Sequence, residues 1–263
     1  MATLDSLITF LGRLGNITAY RMKGCDKIIL RTRGGAKKDS IKNDPRHANQ
    51  RCSYTEFGGR GTATKFLRKA LFPLQQLADY NFTGDLNALT RHIQTLDTVN
   101  EVGKRGISFS KNPKLFEGFN LNKLNTFDDI VRSPFSFHLD KVGLAASIDF
   151  PALIPDINFF DQSVKYPVYC FETVLGIVPD IVYTKNGYQP LEKASSVVWT
   201  SEWYPVLKGS PALSLKSNLL PLQQPVLPFS IILSAGICFG SIGKNNEIDQ
   251  VKSAGAAKIV ALE

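Results

Sequence analysis

The period of apolar and polar positions changes three times along the chain. In "LGNITAYRMKGCDKIILRTRGGAKK", Ile17, Ala19 and Arg21 alternate with Thr18, Tyr20 and Met22, and Ile28, Ile29 and Leu30 follow "KGCDK". Alternation of period two around a glycine turn predicts a β-hairpin, with Gly24 free to take positive φ and Asp26 bonding the turn backbone. The next stretch, "RTRGGAKKDSIKNDPRHANQR", has no apolar period and holds seven basic residues against two acidic ones. Such a composition buries too little surface to fold alone, which predicts a loop or arm ordered against a partner.

A helical period begins in "TATKFLRKALFPLQQLADY", where Phe66, Leu67, Ala70, Leu71, Leu74, Leu77 and Ala78 form a stripe. Pro73 lies inside it and should split or kink the helix. Leu86, Leu89, Ile93 and Leu96 form a second stripe after Gly84-Asp85, so the two helices should lie antiparallel. "NTFDDIVRSP" predicts a further short turn stopped by Pro134. From there the texture is β: "FSFHL", "LAASIDF", "YPVYCFETVLG", "DIVYT", "SSVVWTSEW", "ALSLKS", "FSIILSAGICFG" and "AAKIVALE", with turn signals at "KNG" and "GKNN". Short strands at this spacing predict a sandwich or partly closed barrel, with the last strand tied into a sheet. The expected fold is α+β and β-rich: an N-terminal β-hairpin plus basic arm (1–60), a helical hairpin (61–133), and a β-sandwich-like C-terminal half (134–263).

Charge sharpens this picture. Of the 31 Lys and Arg and 23 Asp and Glu, residues 1–70 hold 15 and 5, leaving residues 71–263 slightly acidic. The excess of positive charge at the front implies an acidic partner: nucleic acid or another polyanion, an anionic surface, or a neighbouring copy. The basic segment 21–69 offers Arg21, Lys23, Lys27, Arg31, Arg33, Lys37, Lys38 and Arg60 as partner-binding residues. Tyr20 and Tyr54 are the nearest aromatics for stacking bases.

Candidate chemistry is thin. "FGGRGTATK" leads glycines toward a helix N-terminus beside Arg60 and Lys65, yet it lacks the Walker spacing. His138 and Asp140 share a strand face without a nucleophile beside them in sequence, and Asp128, Asp129 and Asp156 read as turn or helix-start carboxylates. Four scattered cysteines and three histidines show no zinc-ligand spacing, so no metal, cofactor or catalytic set is expected. Trp199 and Trp203 have the same parity, which predicts two indoles on one strand face, either in the core or stacking on a sugar. The apolar run before Gly15 is short, follows Asp5 and is broken by Arg13, against a secretory signal. The stretch "PVLPFSIILSAGICFG" is too short for a membrane span. The expectation is a protein made in the cytoplasm, with an extracellular or particle-associated assembly left open.

"LGRLGNITAYRMKGCDKIILRTR" followed by "NQRCSYTEFGG" resembles the opening of an uncharacterised Bacteroidota protein family, over roughly residues 10–70. The positions that carry the resemblance are Gly12, Gly15, Tyr20, Gly24 and Arg31. The resemblance implies a helical segment and a β-rich C-terminal half after this opening, and implies no activity.

Together these features point to a non-enzymatic structural or interaction protein that self-assembles through its hairpin and arm into a filament, shell or surface assembly. The alternatives are a nucleic-acid-binding module and a carbohydrate-binding sandwich using Trp199 and Trp203.

Overall fold

A computed structural model describes residues 2–4, 10–21, 26–32, 34–160, 165–220, 225, 228–244 and 247–263. The chain divides into two compact units, Met1–Arg51 and Cys52–Glu263.

The first unit holds four strands, β1 (Ala2–Leu4), β2 (Gly12–Leu14), β3 (Ile17–Tyr20) and β4 (Ile28–Thr32), and a short helix α1 (Lys38–Asn43). They form an antiparallel sheet in the order β1-β4-β3-β2. The expected hairpin is β3 and β4, with Tyr20 opposite Ile29. Two strands flank it that the sequence pattern did not single out. β2 joins β3 through Gly15-Asn16, with Leu14 opposite Ile17 and Gly15 at φ 59°. A two-residue hairpin of this twist needs positive φ, which glycine supplies without strain. The expected turn at Gly24 lies outside the described residues.

The segment after β4 is not bare coil. α1 buries none of its residues. Polar bonds hold it instead: Asp44 caps the 3-10 turn Pro45–His47 by accepting from the Arg46 N–H, and Pro45 sits in its first turn. Arg51 Nη1 donates to the carbonyls of Ile41 and Asp44, both at 2.9 Å. Carbonyls left over at a helix end are thereby satisfied without any core.

The second unit is layered. Helix α2 (Ala48–Ala70) starts at the end of the first unit, 14 residues before the expected helix. It runs unbroken through "FGGRGTATK", so those glycines form no phosphate loop. Leu71 ends it and the 3-10 turn Phe72–Leu77 follows around Pro73, as the missing backbone donor requires. Helix α3 (Thr83–Thr95) carries the second stripe, and α4 (Phe127–Ile130) starts on a Thr126–Asp129 capping box. Arg60 reaches Gln94, whereas the residues around Arg68 lie near Thr83 and Asn87, so α2 and α3 run antiparallel.

The strands are β5 (Ser136–Asp140), β6 (Ala145–Phe150), β7 (Val168–Pro179), β8 (Ile181–Thr184), β9 (Gly187–Pro190), β10 (Ser196–Thr200), β11 (Tyr204–Pro205), β12 (Leu213–Asn218), β13 (Phe229–Ile242) and β14 (Ile248–Leu262). The central sheet has the order β10-β7-β13-β14, with β11 also on β7, and β12-β6-β5 forms a second sheet. The "KNG" turn closes the β8–β9 hairpin, Thr184 opposite Gly187. Part of "GKNN" lies outside the described residues.

Every residue of β7 is buried, because the sheet is covered on both faces. Tyr169, Phe171, Leu175 and Ile177 face the second sheet together with Phe229, Ile231 and Ile237, and pack there with Phe150 of β6. Cys170, Val174 and Val178 face the helical layer, where Leu67, Leu71, Leu74, Leu77 and Leu86 pack. A Cβ on Gly236 would meet Leu74 and Leu77 at 2.7 and 2.9 Å, so its absence lets the 3-10 turn sit directly on β13. Glu263 and Ile231 exchange both backbone hydrogen bonds, and the chain's last residues are thus paired. The molecule is α+β and β-rich, with a sandwich-like C-terminal half.

Candidate interaction surface

The register of the N-terminal sheet brings basic positions together that are far apart in sequence. Arg13 on β2 lies opposite Thr18 on β3, and Thr18 lies opposite Arg31 on β4. Directly opposed residues share a face, so two guanidinium groups flank a threonine in one cross-strand row. Tyr20, two residues along β3, is on the same face. Ile17 and Ala19 project to the other side with Ile28 and Leu30, while Ile29, opposite Tyr20 and buried, shares the face of the two arginines. Ala19 and Ile28 are buried.

β2 is an edge strand. All three of its residues are exposed, Leu14 at 65%, and so is Leu11 just before it at 59%. Because Leu14 and Ile17 close the two-residue hairpin, the Arg13 backbone points away from β3. Among the described residues no strand pairs with that edge. Such an edge is a template for a further strand.

The other expected partner-binding residues fall into three groups. Arg21, Lys27, Arg31, Lys37 and Lys38 are all exposed in the first unit. Lys23 and Arg33 lie outside the described residues. Arg60 belongs to the second unit: it sits inside α2, half-buried, donates to Gln94 Oε1 at 3.0 Å and packs over the Phe57 ring. A basic residue on a helix that faces another helix is drawn into its own fold, and sequence charge alone does not reveal this.

The two tryptophans do not share a face. Thr200 pairs with Glu172 and Tyr204 with Tyr169, so four steps on one strand match three on β7. One extra residue inverts the side on which every later side chain projects. At this break the Ser201 hydroxyl, not a backbone carbonyl, accepts the Phe171 N–H at 2.9 Å. Trp199, opposite Thr173, faces the second sheet and is 40% exposed. Trp203 packs into the helical-side core beside Gly240. A paired-indole sugar platform is therefore not formed.

The remaining polar groups hold the fold. Asp140 accepts from the Val142 and Gly143 N–H groups and so braces a turn; His138 is exposed on β5. Asp128 pairs with Lys258, whose ammonium also lies over the rings of Phe127 and Phe135. Asp129 is consumed by the α4 cap, and Asp156 occupies a turn at φ 62°. Cys52, Cys170 and Cys238 are free thiols. Among the described residues no three His, Cys, Asp or Glu side chains converge as metal ligands. No helix among them is long and apolar enough to cross a membrane.

One buried group escaped the sequence reading. Glu172, in the middle of β7, is 7% exposed, and burial pushes its pKa up despite bonds from Cys238 and Gln250. Cys238 lies directly opposite Cys170 on the same helical-side face. A carboxyl inside an otherwise apolar strand was the available signal. Comparison with protein-family models, curated proteins and solved structures finds no match to this chain.

Proposed function

We propose that this protein is a non-enzymatic interaction protein that joins copies of itself through the outer edge of β2. The open edge is the observation that carries the reading: a strand with every residue exposed, Leu14 among them, an exposed Leu11 just before it, and no proline to block it. An unpaired strand edge presents N–H and C=O groups to which another chain can pair. Strand addition supplies main-chain hydrogen bonds, and the flanking arginines bias the approach toward an acidic surface.

Arg13→Pro tests this directly. It removes the one N–H that points outward from β2 while sparing the bonds to β3. The full chain should sediment as concentration-dependent oligomers and the variant as a monomer. A wild-type chain that stays monomeric at all concentrations would refute the proposal.

The Arg13–Thr18–Arg31 row with Tyr20 on the same face supports a second reading, a polyanion-binding sheet. It predicts oligonucleotide affinity that falls steeply with salt, and loses about one phosphate's share of that slope in Arg31→Ala.

A further inference from the structure

α2 turns Ala63, Leu67 and Ala70 into the core, and with them Glu56, the one acidic residue of the helix. Phe57, Gly58, Gly61, Lys65 and Lys69 are left exposed, Arg68 is half-buried beside them, and Phe72 follows on the 3-10 turn. Phe57, Gly61, Lys65 and Arg68 recur every three or four positions, so they form one outward stripe. From Phe57 to Lys69 it is about 18 Å long. Phe57 is 59% and Phe72 73% exposed, so a large aromatic ring meets solvent at either end.

The charge around the stripe has one sign. Lys65, Arg68 and Lys69 line a groove shared with Gly61 and Phe72, and no acidic residue lines it. At the other end, Arg60 lies over the Phe57 ring at 5.5 Å. Burial and then Arg91 of α3 lower the Arg60 pKa, so two guanidinium groups crowd together there while Arg105 engages Glu56. Like charges held together are relieved by an anion. The glycines add a shape. A Cβ on Gly58 or Gly61 would meet nothing within 4 Å, so no packing requires glycine at either place. Glycine weakens a helix interior relative to alanine, yet it lets another chain lie close against the backbone.

Cations beside exposed flat rings match a chain of alternating phosphates and bases. Lys and Arg neutralise the phosphates, and any base stacks on an aromatic face. A bilayer matches less well, because a membrane-surface helix needs a continuous apolar face and α2 has buried that face in the core. We infer that the outward face of α2 binds single-stranded nucleic acid, with bases on Phe57 and Phe72 and the phosphates between them on Lys65, Arg68 and Lys69. The stripe has room for about five nucleotides at a stacked spacing of about 3.4 Å. The site lies in the second unit and stands or falls without the edge of β2 or the Arg13–Thr18–Arg31 row.

The test is fluorescence anisotropy of the full chain with labelled oligothymidylate and an abasic strand of the same length, beside sedimentation with phosphatidylserine vesicles. Oligothymidylate should bind more tightly than the abasic strand and weaken steeply between about 50 and 200 mM salt. Phe57→Ala and Phe72→Ala change exposed side chains and should keep the fold. Each should weaken oligothymidylate about 5- to 100-fold and leave the abasic strand unchanged. Lys65→Ala should lower the slope of log affinity against log salt by about 0.7. Gly61→Gln should raise the thermal midpoint and still weaken binding, a combination that damage to the fold does not produce. The same losses should appear on an Arg31→Ala background, which separates this face from the N-terminal sheet. Absence of saturable oligothymidylate binding at low salt overturns the inference, whether or not the vesicles bind. So does unchanged affinity in both phenylalanine variants, or loss of all binding in Arg31→Ala alone.

Discussion

The carboxylate of Glu56 on α2 grips Arg105 with both oxygens, accepting from Nε at 2.7 Å and from Nη2 at 2.8 Å. It also accepts the Gly103 N–H at 2.8 Å. Glu56 is 4% exposed and the Arg105 side chain 19%, so the pair ties the loop after α3 to α2 with little access to water. Removing one partner of a buried pair strands the other. Glu56→Ala should therefore destabilise the protein by about 3 kcal/mol, read from urea unfolding midpoints. Glu56→Gln, which keeps an acceptor, should cost less.

The same contacts set an acid limit. Arg105 holds Glu56 below its ordinary 4.5. Burial pushes Asp97 up, but bonds from the Asn100 side chain and from the Asn100, Gly106 and Val99 N–H groups outweigh it and hold the group down to about 2. A carboxyl whose folded pKa is depressed adds stability above its unfolded pKa and loses it as pH falls through the folded one. Thermal midpoints should be flat near neutrality and fall progressively below about pH 4.5, with Glu56→Gln reducing the slope. A slope unchanged in that variant would show that other carboxylates set the limit.

Glu172 has the opposite sign. Its folded pKa is raised by burial, so whatever stability depends on its neutral form is present below the unfolded pKa and declines as pH rises through the folded one. Glu172→Gln should raise the midpoint at neutral pH and leave it nearly unchanged in acid. An equal shift at both pH values would mean that packing, not ionisation, is responsible.

Gly59 meets the face of Tyr188: an added Cβ would lie 2.7 Å from the ring. The Tyr188 hydroxyl donates to the Arg105 carbonyl at 2.9 Å, so the ring is held in place. Alanine normally stabilises a helix interior by about 1 kcal/mol over glycine, but here overpacking costs about 1–3 kcal/mol and should win. Gly59→Ala should destabilise the wild type and stabilise a Tyr188→Leu background, a reversal that a double-mutant cycle measures.

Thiol reactivity should follow burial. Hydrogen bonding with Cys170, then burial, raises the Cys238 pKa, and neither thiol is more than 1% exposed. Site-resolved mass spectrometry after iodoacetamide should find Cys52 modified in the native protein and Cys170 and Cys238 only after unfolding. Early modification of either buried thiol would contradict the layered arrangement.

Much of the body was legible because its apolar periods are strong. The stripe from Leu86 to Ile93, the stop near Pro73 and the long strands around Cys170 and Ile232 all follow from period and proline chemistry, whereas Leu96, expected in that stripe, caps the helix end and is exposed. The start of α2 was not legible, since "ANQRCSYTEFGGRG" buries only Glu56 and Gly59 among its residues and carries three glycines. Its stabilising contacts, Glu56 with Arg105 and Gly59 with Tyr188, come from residues about 50 and 130 positions away, beyond the reach of any local pattern. The separation of the tryptophans turned on a single extra residue, which strand alternation does not announce. At the candidate surface, sequence identified the charge, but only register placed Arg13 and Arg31 in one row on either side of Thr18.

β13 sits between β7 and β14, yet about fifty residues separate it from β7 along the chain. During synthesis β7 therefore emerges long before its main neighbour, with twelve consecutive residues destined for burial and only the short β10 and β11 to cover one margin. The body cannot close in the order in which it is made. The helical layer and β5–β6 precede β7, but the edge of β7 that pairs with β13 must wait for the C-terminal hairpin, so chains shortened before β13 should give a poor soluble yield.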